Sequence, residues 1–141
     1  MGEPWNYQIR IYLTEEAADI ARTDPGNVAI KPIREILDRH GATMKSQFDA
    51  FAEYVAEAER DGVEGFPLYK WTRLTIDDPA KRAKHIKSFA IHVAGAPVYA
   101  KPVADALEAD LRPLEGGALI TALSRHDTNP ANNMPVPAHL R

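Results

Sequence analysis

Six side chains carry the chemistry that this sequence suggests: Arg10, Tyr12, Tyr69, Trp71, Arg73 and His92. An arginine guanidinium is a permanent positive fork for a carboxylate or phosphate. Indole and phenol rings supply stacking walls and cation contacts, and an imidazole titrates near neutral pH and can hold or release a proton. Together these groups would bind a small anionic or aromatic molecule, with Arg10 and Arg73 as fixed charge, Trp71 and Tyr12 as walls and His92 as a proton donor or acceptor. The competing reading is structural: His92 hydrogen-bonds a tyrosine or carboxylate, and the two arginines pair with acids across a subunit interface.

What would bring them together is alternation. "YQIRIYL" places Tyr7, Ile9, Ile11 and Leu13 on one side and Gln8, Arg10 and Tyr12 on the other, the period of a half-buried strand. "LYKWTRLTI" sets Leu68, Thr72, Leu74 and Ile76 against Tyr69, Trp71, Arg73 and Thr75. "SFAIHVAG" sets Phe89, Ile91 and Val93 against Ala90, His92 and Ala94. "ALITALSR" supplies a last strand.

Helices fill the intervals. Thr14 caps "EEAADIAR", whose acids suit a helix start, and "TDPGN" ends it. Asn27 caps "VAIKPIREILDRH", with Pro32 tolerated near its beginning and Gly41 able to end it in the left-handed conformation. From Thr43, "MKSQFDAFAEYVAEAER" shows Met44, Phe48, Phe51 and Val55 as a helical stripe. "DDPAKRAKHIK" begins one or two helical turns, and "KPVADALEADLR" recurs at Val103, Leu107 and Leu111.

The resulting order predicts a βαββαβ ferredoxin-like sandwich: an α+β fold with a four-stranded antiparallel sheet, helices on one face, and the first and third strands innermost. Residues 1–126 form the single domain expected of a 141-residue chain, and residues 127–141, rich in proline and asparagine, form an extended tail. Helices on the face of Tyr7, Ile9, Ile11, Leu74, Ile91 and Val93 would leave the aromatic and cationic set uncovered. An exposed patch of that kind marks an interface or ligand site, and packing two sheets face to face in a homodimer would cover it.

Other residues point less far. His126 and Asp127 make half of a metal site, a spacing common by chance, and no metal is expected. Asp78 before Pro79 reads as a turn or cap. His40, His85 and His139 read as exposed. "KRAKHIK" offers an anion site or a solvated connection. Ser46, Ser88 and Ser124 have no partner suggested by spacing. The chain has no cysteine, which removes thiolate chemistry and disulfides. It contains no P-loop, G-x-G-x-x-G, G-x-S-x-G or H-E-x-x-H, so no cofactor is implied.

With 17 basic and 20 acidic residues the net charge is −3, which disfavours nucleic acid as a partner. No apolar run reaches the ~20 residues of a membrane span, and the start lacks a secretory pattern, so the expected compartment is the cytoplasm. Three functions fit the uncovered surface, in this order: a homodimer binding a small anionic or aromatic molecule on the open sheet face; a cofactor-independent enzyme with His92 as acid or base and Arg10 as anion clamp; and a protein-interaction module of inhibitor or immunity type.

Overall fold

The computed structural model describes residues 5–129. The chain runs β1 (Tyr7–Leu13), α1 (Glu15–Thr23), α2 (Lys31–Arg39), β2 (Ala42–Ser46), α3 (Gln47–Asp61), α4 (Tyr69–Asp77), α5 (Pro79–Lys87), β3 (Ser88–Val93), α6 (Lys101–Leu111) and β4 (Ile120–Asp127), with short 3-10 turns at Val28–Ile30, Val63–Gly65 and Arg112–Leu114. Among the described residues the result is an α+β fold: one open four-stranded sheet ordered β2-β3-β1-β4, antiparallel at every pairing, and six helices. Because β3 lies between β1 and β2, and β1 between β3 and β4, the sheet consists of two interleaved strand-helix-strand halves.

Local chemistry accounts for most of these boundaries. The Thr14 hydroxyl accepts from the Ala17 amide at 3.2 Å and starts α1. Asn27 accepts from the Ala29 amide at 2.8 Å and opens the turn that leads into α2. Gly41, at φ +60°, reverses the chain as a left-handed residue. Asp78 receives the Ala80 and Lys81 amides, and Pro79 occupies the first turn of α5, where a missing N–H costs nothing.

One sheet face is the core. Ile9, Ile11, Leu13, Phe89, Ile91, Ile120 and Leu123 pack with Ala17 and Ala18 of α1, Ile33, Ile36 and Leu37 of α2, and Ala104, Leu107 and Leu111 of α6. Tyr99 is buried with them and bridges the two central strands: its hydroxyl accepts from the Ile9 amide at 2.7 Å and donates to the Ile91 carbonyl at 3.0 Å. This satisfies backbone groups at the point where the β1–β3 ladder stops.

Two expected elements are different. The stretch 68–76 is not a strand: Tyr69–Asp77 is helix α4. Its buried residues are Thr72, Thr75 and Ile76, a helical i, i+3, i+4 stripe, while Leu68 and Leu74 of the supposed inner set are 40% and 56% exposed. Packing has overridden the β preference of its rings and branched residues. The helix expected from Thr43 begins instead at Gln47, because Ala42–Ser46 pairs with β3 as an edge strand. Met44 therefore belongs to the sheet. The true start signal is Ser46, whose hydroxyl accepts from the Asp49 amide at 3.1 Å.

The uninterrupted βαββαβ order consequently fails: three helices, α3 to α5, separate β2 from β3. At the end of the chain β4 runs to Asp127, and Thr128 bonds to Asn6, so the first residues assigned to the tail continue the domain. Residues 130–141, the rest of that tail, lie outside the described residues. Among the described residues no helix is long and apolar enough to cross a membrane.

Candidate functional site on the open sheet face

The second sheet face carries Gln8, Arg10 and Tyr12 from β1, Ala90 and His92 from β3, Thr43 and Lys45 from β2, and Ala122, Ser124 and His126 from β4, by the period of two and the observed register. None of these ten residues is buried. Alternation therefore brings Arg10, Tyr12 and His92 together as expected. Arg10 stands opposite Ala90 on one side and Ser124 on the other, with His92 one pleat beyond Ala90. Ala122, opposite Tyr12, is short and lines a cleft beside it.

Tyr69, Trp71 and Arg73 are elsewhere. They lie on α4 rather than the sheet because their segment is helical. The Tyr69 hydroxyl donates to Glu59 at 2.9 Å, and Arg73 pairs with Asp77 at 3.1 Å and Glu59 at 3.7 Å, which neutralises it. Trp71 meets Phe51 edge to face at 5.7 Å, and Phe51 meets the ring of His85 at 5.1 Å. The indole is thus two ring contacts from His85, which in turn lies close enough to Arg10 to feel its charge.

Arg10 is the centre of the site. It is partly buried, its Nε donates to Gln8 Oε1 at 2.6 Å, and Gln8 is braced by its own bond to the Pro97 carbonyl at 2.9 Å. Among the described residues no carboxylate pairs with Arg10, whereas Arg22 is held by Asp49 at 2.9 Å and Arg125 by Asp105 at 2.7 Å. Burial without a counter-ion holds the Arg10 guanidinium below its usual pKa, with nearby Tyr12 working the other way.

Two histidines flank it. His126 lies on β4 across from Gln8, and its Nε2 is 2.9 Å from Ser124 Oγ. Burial, and then the charge of Arg10, lower its pKa against a small opposing effect of Asp127. His85 comes from α5, with Nδ1 3.2 Å from Gln47 Oε1; burial, Lys84, Arg10 and Lys81 lower its pKa. Both shifts favour the neutral imidazole, which leaves Arg10 as the fixed charge between them. Beside Tyr12 a cleft of about 700 Å³ opens between the sheet and α5, bordered by Ala83, Lys84, Lys87 and Ala122. The basic run "KRAKHIK" is thus a helix flanking this face rather than a connection.

Alternation put Gln8 on the side of Arg10 and Tyr12, but sequence reasoning missed His85, Ser124 and His126 as members of the same surface. The signal for two of them was present as S-R-H: on a strand, positions 124 and 126 share a face. Ending the last strand at Arg125 removed His126 from it. His40, expected exposed, instead binds Asp110 at 2.7 Å and ties α2 to α6; His139 lies outside the described residues. Among the described residues no three His, Asp or Glu side chains are grouped to hold a metal ion. Comparison with protein-family models, with curated proteins and with solved structures finds no match.

Proposed function

We propose that this protein binds a small, singly charged organic anion, of aromatic carboxylate type, on the open sheet face, with Arg10 as its counter-ion. The observation that carries the reading is the partly buried guanidinium with no carboxylate paired to it among the described residues. An unpaired charge withdrawn from water is costly unless a ligand neutralises it. Tyr12 supplies a ring next to that charge, Ala122 leaves space in the adjoining cleft, and there Lys84 and Lys87 outnumber Glu15, which favours anions. His92 borders the site from β3. Tyr69, Trp71 and Arg73 have no part in it.

A second copy of the chain laid on the same face would shelter the ligand, which is why we read the protein as a homodimer. The strand order and the interleaved halves support reading the fold as a ferredoxin-like sandwich with α3 to α5 inserted. Calorimetric titration with benzoate and with neutral benzamide tests the binding claim, and sedimentation with and without benzoate tests the dimer. Benzoate should bind, benzamide should not, and Arg10→Gln should weaken benzoate by about tenfold or more, the loss of a charged hydrogen bond. Equal binding of both compounds, or unchanged binding by the variant, overturns the reading.

A further inference from the structure

We propose that Ser124 and His126 form a nucleophile and base pair that cleaves activated esters bearing a carboxylate, a proposal that rests on Arg10 holding that carboxylate. Ser124 and His126 are two residues apart on β4, so both side chains rise from the same face, and Oγ and Nε2 are 2.9 Å apart. With the His126 proton on Nδ1, the serine hydroxyl donates to Nε2, the arrangement a general base requires. Burial and the charge of Arg10 favour the neutral imidazole, which is the form that can accept.

The neighbours fit the remaining roles. Arg10 is the direct cross-strand partner of Ser124, which puts their Cβ atoms about 5 Å apart and the guanidinium within reach of a substrate carboxylate. Ser124 Oγ is also placed to donate to the Tyr12 hydroxyl at 3.5 Å; with the serine proton turned to His126 instead, the Tyr12 O–H can donate to an oxygen that develops charge on the attacked carbon. The one hydrogen bond given for His126 is to Ser124; without a carboxylate bonded to the imidazole in the manner of a full triad, the pair suits esters with good leaving groups.

The chemistry closes with water as co-reactant. Ser124 Oγ bonds to the acyl carbon while its proton passes to His126 Nε2; the bond to the phenolate breaks and that oxygen takes the proton. Water then attacks the acyl-serine, gives a proton to His126, and releases the acid as Ser124 regains its hydrogen.

The test uses 4-acetoxybenzoate and its neutral methyl ester, with acetylated peptides located by mass spectrometry and phenol release followed by absorbance. Acetylation at Ser124 should be at least about tenfold slower in His126→Gln and absent in Ser124→Ala, with circular dichroism confirming that both variants fold. The charged ester should react faster than the neutral one in the native protein, and Arg10→Gln should remove that preference. Benzoate binding to the native protein without acetylation of Ser124, or with acetylation at the same rate in His126→Gln, overturns this proposal and leaves the binding reading intact. Absence of benzoate binding overturns the binding reading, and the preference for charged esters with it.

Discussion

Arg10 and Ser124 face each other across the β1–β4 ladder, so a partly buried cation with no paired carboxylate among the described residues and a hydroxyl bonded to histidine share one patch of the sheet. Both positions are set by backbone register. Neither depends on a long or mobile loop, so the geometry is as rigid as the sheet itself, and substitutions on this face test function with little effect on the core behind it.

Arg10→Met is expected to leave the protein as stable as before or more stable, by roughly 1 kcal/mol, because it removes a charge that folding withdraws from water without a counter-ion among the described residues. Urea denaturation in the absence of anions measures this. A loss of several kcal/mol would mean that the guanidinium is held by an interaction of its own.

Stability should fall as the solution is acidified below about pH 6.5, the ordinary histidine value. His85 and His126 have lowered pKa values in the folded protein, so in that window the unfolded chain binds protons that the folded one does not, and the linkage favours unfolding. The decline ends once pH drops below the folded values. Thermal midpoints across this range should drop less in His85→Gln and His126→Gln than in the native protein, and the double variant should be flattest. Parallel profiles in all four proteins would contradict the assignment.

Tyr99→Phe removes the hydroxyl that serves the Ile9 amide and the Ile91 carbonyl. The ring still fits, but two buried backbone groups lose their partner, at a cost of about 1–3 kcal/mol. Equilibrium unfolding measures the loss, and faster hydrogen exchange at the Ile9 amide should accompany it.

Leu74→Glu distinguishes helix from strand at α4. Leu74 is 56% exposed on the helix, so the substitution should change stability by no more than about 0.5 kcal/mol. A charge at an inward strand position would cost several times that, and such a loss would restore the strand.

Three strands of the sheet were legible because alternation of Ile9 and Ile11 with Arg10, and of Phe89 and Ile91 with His92, has one physical meaning on a sheet covered on one side. The helix caps at Thr14, Asn27 and Asp78 were legible for a similar reason: a short polar side chain must meet the free amides of a first turn. What failed was the segment 68–76, where two threonines and an isoleucine serve a helical stripe as well as a strand face, and only packing against α3 and α5 decides. That error carried Tyr69, Trp71 and Arg73 into the site. The two-residue extension of β4 past Arg125, which brings in His126, depends on pairing of Asp127 with Tyr7, a contact between residues 120 apart in sequence. No local pattern announces such a contact.

The most direct test of the anion site is a nuclear magnetic resonance titration that follows the Nε–H signal of Arg10 as benzoate is added. A saturable shift of that signal, with accompanying shifts at His126 and Tyr12 and none at Arg125 on the core face, is the predicted result. A site elsewhere, or none, would be shown by an Arg10 signal that stays fixed while benzoate reaches millimolar concentration.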